Sequence, residues 1–299
     1  MPPNFLIAGV AKAGTTSLYY YLAQHPEVDI PRKESFYFAR EFYENAPADK
    51  PPFVRDKSRI IFSEEDYDKF YADCHKKAIG EVSTCYAYLH ESSIRLIKEK
   101  LGDIKIIFIL RNPVERAFSA YRHSLRTDAE LLSFKEALEA EKSRMEKRWD
   151  FMWYYADVGF YAKQIKSFKD NFSRVNIFLM EDLASRPQQV MKEVFQFIGV
   201  DDRYVPDTNF RYNVTDTKPP SLFQYLLIEA ASKKSLKAVI RKVIPEKKRM
   251  AIKEKLRTPL ETPVLSMDSD VSAHLMQLYR DDILEVEKLT GANLSGWRK

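Results

Sequence analysis

The sequence predicts an α/β fold in which a central parallel sheet is flanked by helices. Two observations carry that expectation. Three short apolar runs, Phe5 to Val10, Ile104 to Leu110 and Val175 to Met180, are rich in β-branched and aromatic residues, as strands buried on both faces are. Each run is followed by turn residues and then by a helical pattern, at Ser17 to Gln24, Pro113 to Leu125 and Pro187 to Ile198. Such alternation builds parallel sheets through right-handed crossovers.

The remaining elements follow in order. Pro113 and Pro187 stand near helix starts, where a missing N–H costs nothing. A fourth strand is expected over Ala78 to Val82, between the others. Residues 134–148 and 160–171 read as amphipathic helices and 269–290 as a longer terminal one. At 299 residues and 45% hydrophobic the chain can bury a sizeable core, and residues 1–299 are expected to form a single domain. Within it, a basic helical insertion or lid is expected at about 222–262.

The net charge of +5 suits an acidic ligand and falls short of a dedicated nucleic-acid binder, so no nucleic-acid partner is expected. That charge is local: residues 233–257 hold 11 Lys/Arg against 2 Glu, with Leu236, Val239, Ile240, Val243 and Ile244 at helical spacing before Pro245. Such a segment can touch an anionic membrane surface, gate an acceptor site, or pack as a solvated helix. Cys74 and Cys85 are too few for a disulfide framework or a four-ligand zinc site, and the five histidines have no ligand spacing, so no metal is expected. The first apolar run is short and lacks a basic flank, which sets the expectation of a soluble, cytoplasmic protein. Oligomeric state is not legible.

Only 8 of the 299 residues are glycine, against a usual share of roughly 7%, yet two of them frame one turn. After the first strand comes Gly9-Val10-Ala11-Lys12-Ala13-Gly14-Thr15-Thr16-Ser17. A glycine-bounded turn between a buried strand and a helix aims backbone N–H groups and the helix dipole at one point, where a phosphate or sulfate is stabilised. Nucleoside-triphosphate loops read Gly-x4-Gly-Lys-Ser/Thr; here Thr15 stands at the lysine position and the lysine has moved to Lys12. The strand Ile104 to Leu110 ends in Arg111-Asn112-Pro113 and not in a magnesium-holding Asp. A guanidinium there either binds an anion or pairs with a carboxylate at the sheet edge. On the next helix Arg116, Ser119, His123 and Arg126 share one face.

Together these residues resemble sulfotransferases that use 3′-phosphoadenosine 5′-phosphosulfate (PAPS), in the bacterial and heparan-type branch. The family's 5′-phosphosulfate loop matches residues 5–17, and its 3′-phosphate motif, an Arg ending a strand and a Ser eight residues on, matches Arg111 and Ser119. Weaker similarities lie at Glu181-Asp182-Leu183, Gly159-Phe160-Tyr161 and Leu294-Ser295-Gly296-Trp297. The resemblance implies a P-loop-like three-layer sandwich and PAPS as co-substrate, with PAP as product. It implies that Lys12 meets the transferring sulfuryl group, that the loop from Lys12 and Ala13 through Gly14, Thr15, Thr16 and Ser17 holds the 5′-phosphate, and that Arg111 and Ser119 hold the 3′-phosphate. Lys218 loosely represents a later donor-binding loop. Heparan-type members carry a catalytic Glu after the first helix, and Arg32-Lys33-Glu34-Ser35-Phe36-Tyr37-Phe38 occupies that place, making Glu34 the candidate base; its alternative is a surface Glu paired with Lys33 or Arg32.

One departure matters. The heparan-type pattern Glu-Lys-Thr-Pro-x-Tyr is here Glu81-Val82-Ser83-Thr84-Cys85-Tyr86, without the Lys and the Pro, which weakens the case for a sugar-chain acceptor. His123 is either a further catalytic group or a half-buried helix residue. The acceptor can be a small molecule, lipid or saccharide; Phe36, Tyr37, Phe38, Phe42, Tyr43, Tyr86 and Tyr88 either line its pocket or form core. A kinase or NTPase with a variant loop, and a non-catalytic nucleotide-binding module, are the competing functions.

Overall fold

A computed structural model of the chain describes residues 1–31, 34–44, 59–126, 129–209 and 266–298. Among them are five strands, β1 (Phe5–Gly9), β2 (Val28–Asp29), β3 (Ala78–Val82), β4 (Lys105–Leu110) and β5 (Val175–Leu179), in the order β2-β3-β1-β4-β5. Every pairing is parallel, with Leu6 opposite Glu81 on one side of β1 and opposite Ile106 on the other. β3 therefore flanks β1 on its outer side and does not lie between β1 and β4. β2, only two residues long, has too little pattern to be read from sequence.

Alternation along the strands feeds two apolar layers. Leu6, Ala8, Ile106, Phe108 and Leu110 face a large cluster, while Phe5, Ile7, Ile107 and Ile109 face a smaller one. The smaller layer is closed by α1 (Thr15–Ala23) and α10 (Pro187–Ile198). The larger is closed by α4 (His90–Leu101), α5 (Pro113–Arg126), α8 (Tyr161–Asn171) and the long α11 (Ser269–Thr290). The result is the three-layer sandwich expected. Burying each such Ile or Phe is worth about 1.5–3 kcal/mol. β5 departs from the expectation of strands buried on both faces: as the edge strand it buries only Phe178 fully.

Chain chemistry sets the helix ends. Asn112 caps α5 by accepting from Val114 N at 3.0 Å, with Pro113 at the first helical position. Gly199 ends α10 at φ 88° and Gly291 follows α11 at φ 71°. The helix expected over 134–148 divides at Ala140 into α6 (Phe134–Glu139) and α7 (Glu141–Glu146). The cause is tertiary: Glu141 accepts from Ala156 N and Asp157 N, and Arg144 forms a buried pair with Glu130, so the second half is held separately. Short α2 (Arg40–Glu44), α3 (Glu64–Phe70) and α9 (Met180–Ser185) complete the described helices, none of which is long and apolar enough to cross a membrane. The expected lid at 222–262 and the basic segment 233–257 lie outside the described residues.

Candidate active site

Parallel strands end together, so the segments that follow β3, β1 and β4 meet along one edge in that order. The central segment is the anion loop. Gly14 begins α1 in the left-handed region at φ 90° and, as a glycine, brings no side chain of its own to cap the helix. Lys12 is itself at φ 71°, in a turn closed by Ala13 N donating to Val10 O. Gly9 is required by crowding: a Cβ there would lie 2.9 Å from the Cβ of Ala87.

On the β4 side, Arg111 reaches the loop itself, its Nη1 donating to Lys12 O at 3.4 Å. Its Nε and Nη2 share Glu115 Oε2 at 3.2 and 3.0 Å. The carboxylate pairing of Arg111 is therefore present, and the same guanidinium also borders the glycine-framed turn. Tyr161 Oη donates to Arg111 O at 3.0 Å, and burial pushes the Tyr161 hydroxyl well above its ordinary pKa against the pull of Arg116 and Arg111, keeping it a neutral donor. Glu181 ties the same corner to the C-terminus by accepting from Asn112 N and Trp297 Nε1.

Further along α5, Ser119 is 5% exposed and its Oγ has no hydrogen-bond partner among the described residues. A buried hydroxyl without a partner is uncommon and costly. An oxygen of a bound anion would satisfy it. Arg116 is buried and donates to Tyr155 O, so it belongs to the protein's interior. His123 lies at 3.2 Å from Arg126 Nη2 in the last turns of α5, about 15 Å along the helix from Pro113 at 1.5 Å per residue. No hydrogen bond joins it to Lys12, Glu34 or Arg111 among those described. Lys218, Arg32 and Lys33 lie outside the described residues.

On the β3 side stands Glu34. Its N–H donates to Val82 O at 3.0 Å, and its Oε1 accepts from Thr84 Oγ1 at 2.8 Å. The neighbouring Ser35 Oγ donates to Glu81, which also accepts from Tyr67 Oη and Tyr86 Oη, each at 2.6 Å. Burial pushes the Glu81 carboxyl up, and these three donors pull it partly back. Sequence reading missed this anchor and Thr84 because each depends on partners tens of residues away. Phe36, Tyr37, Phe38, Tyr43 and Tyr86 are core, so the aromatic run supports the segment from below; only Phe42 and Tyr88 are half-buried.

The comparisons fit this geometry. The family pattern described as the sulfotransferase domain matches residues 2–262. The chain belongs to the sulfotransferase domain family. A solved structure of a sulfotransferase from Alicyclobacillus acidocaldarius is 30% identical, with each chain covered in full and a TM-score of 0.77. Curated relatives include human bifunctional heparan sulfate N-deacetylase/N-sulfotransferase 3, 27% identical over 99% of this chain and 31% of its own length. Mouse heparan sulfate glucosamine 3-O-sulfotransferase 3B1 is 26% identical over 73% of this chain and 51% of its own length. The sulfotransferase domain described here thus spans about half or less of those relatives.

Proposed function

We propose that this sulfotransferase domain moves a sulfuryl group from PAPS to a hydroxyl or amine of an acceptor, with Glu34 as general base. The observation that carries the proposal is the row along the sheet edge: Glu34 is bonded to Thr84, Thr84 O borders Gly9, and Arg111 is bonded to the loop from the other side. Base and anion site are parts of one frame.

PAPS supplies the sulfuryl group and a phosphate leaving group. The loop amides with Thr15, Thr16 and Ser17 hold the 5′-phosphate, Arg111 and the buried Ser119 hydroxyl hold the 3′-phosphate, and the Lys12 ammonium faces the charge that builds as transfer proceeds. Glu34 takes the acceptor's proton. The curated relatives named for heparan sulfate favour a saccharide acceptor; the missing Lys of the Glu81–Tyr86 segment favours a smaller alcohol or amine. The test is transfer from labelled PAPS to pooled alcohols, amines and saccharides by wild type, Lys12→Ala and Glu34→Gln. Glu34→Gln is expected to lose about 10²- to 10⁴-fold in kcat while still binding PAP. Transfer at the wild-type rate would remove Glu34 from the role, and magnesium-dependent ATP turnover without sulfuryl transfer would revive the kinase reading.

A further inference from the structure

We infer that Thr84 is the positioning residue for Glu34, holding the carboxylate toward the anion loop through its hydroxyl. The inference rests on Glu34 being the base. Thr84 Oγ1 donates to Glu34 Oε1 at 2.8 Å, at a residue only 8% exposed, where water competes poorly for the bond.

Thr84 is suited to the task because its backbone is fixed to β1. Ser83 N donates to Ile7 O at 3.1 Å and Ala87 N to Ala8 O at 2.9 Å, and a methyl group on Gly9 would lie 3.5 Å from Thr84 O. The hydroxyl therefore sits at a set distance from the first residue of the loop. Glu34, by contrast, is in a strained place: its φ is +68°, and Phe36 two residues on is at +56°, with no glycine in the segment. Such a conformation persists only when surrounding bonds over-determine it. Those bonds are Glu34 N to Val82 O, Ser35 Oγ to Glu81, and Ile61 N to Ser35 O at 3.0 Å. They fix the backbone of Glu34 and leave its side-chain torsions to be set by the carboxylate's own contacts, of which Thr84 comes from the β1-anchored turn.

The sequence sets this arrangement apart from the heparan-type pattern. The fourth place of the Glu-Lys-Thr-Pro-x-Tyr pattern holds a proline, which has no hydroxyl to give, and here it is Thr84. The second place, where that pattern has a lysine, is the fully buried Val82, which offers Glu34 only its carbonyl oxygen. A hydroxyl at position 84 supplies the polar contact to the carboxylate that an apolar pair would not.

Thr84→Val keeps the shape and removes the hydroxyl; Thr84→Ser restores it. With labelled PAPS and the alcohol, amine and saccharide pools, Thr84→Val is expected to lower kcat about tenfold, since a misdirected base loses much of its effect. KM for PAPS, PAP affinity and melting temperature should stay near wild type, and Thr84→Ser should recover most of the rate. The ¹³C carboxyl resonance of Glu34, assigned by its absence from Glu34→Gln, should move in Thr84→Val and return in Thr84→Ser. An unmoved resonance with wild-type kcat in Thr84→Val, or no recovery in Thr84→Ser, overturns the inference. If Glu34→Gln is inactive and Thr84→Val is unchanged, only the role of Thr84 fails; if Glu34→Gln keeps the wild-type rate, or wild type sulfates none of the pools, the base assignment fails and this inference with it.

Discussion

Arg111 Nη1 donates to the carbonyl oxygen of Lys12 at 3.4 Å, so the cation just after β4 is fastened to the loop that follows β1. The same guanidinium turns two other nitrogens to Glu115, an exposed carboxylate one helical turn ahead. A planar fork serves the two acceptors from separate nitrogens in fixed directions, a geometry that a compact ammonium does not reproduce. Arg111→Lys should therefore keep the charge and lose the geometry. PAP affinity, read by calorimetry, should fall about tenfold in Arg111→Lys and about a hundredfold in Arg111→Ala, the worth of one and of several charge-assisted bonds. Equal affinities in Arg111→Ala and wild type would place the 3′-phosphate elsewhere.

Ser119 gives a cleaner test because its hydroxyl is buried without a hydrogen-bond partner among the described residues. Alanine there removes no protein hydrogen bond and relieves an unsatisfied group, so the unliganded protein should be as stable or up to about 1 kcal/mol more stable. PAP affinity should fall about tenfold or more as a charge-assisted bond is lost. Loss of thermal stability with unchanged PAP affinity would show that the hydroxyl serves the fold and not the donor.

What could be read in the sequence was whatever is local. The helix Pro187–Ile198 matches its expected bounds residue for residue because Pro187 starts it and Gly199 stops it, both through backbone rules internal to the segment. The loop around Gly9 and Gly14 was legible for the same reason, its residues being consecutive. The break at Ala140 was not: it depends on Glu141 reaching the amides of Ala156 and Asp157. Likewise the anchors of the Glu34 segment come from Tyr67, Glu81, Thr84 and Tyr86, which share no periodic pattern with it. The aromatic residues of that segment looked equally apt for a pocket or a core, and only burial decides between them.

Glu81 should give the protein a particular pH response. Burial raises its carboxyl in the folded state, so the native chain holds this proton at pH values where the unfolded chain, near an ordinary pKa of about 4.3, has lost it. The folded state then binds more protons, and the stability contributed by this group is fully present below about pH 4 and declines as pH rises toward the folded value. Glu81→Gln cannot titrate. Its stability deficit relative to wild type, from urea unfolding at pH 4 and pH 7, should be larger at pH 4. A deficit that grows with pH would mean the group is ionised more readily in the fold than in the unfolded chain.

Gly159 links the C-terminal helix to the corner held by Tyr161 and Arg111. A Cβ at this glycine would lie 2.5 Å from Tyr279 Oη, which donates to Ala156 O at 2.7 Å, while Asp282 on the same helix accepts from Tyr161 N at 2.8 Å. α11 thus clamps the start of α8, and Tyr161, the residue clamped, bonds Arg111 O. Gly159→Ala must push Tyr279 out of a packed interior, at a cost of about 1–3 kcal/mol. Melting temperature should fall by roughly 3–10 °C for a domain of this size, and amide exchange should quicken first in α11 and the opening turn of α8. PAP affinity should fall with it, because the carbonyl of Arg111 loses the donor that fixes it. Tyr279→Phe, which removes the bond to Ala156 O without adding bulk, should reproduce a smaller share of the same effects, about 1 kcal/mol. Destabilisation without any change in PAP affinity would confine the clamp to folding and uncouple α11 from the site.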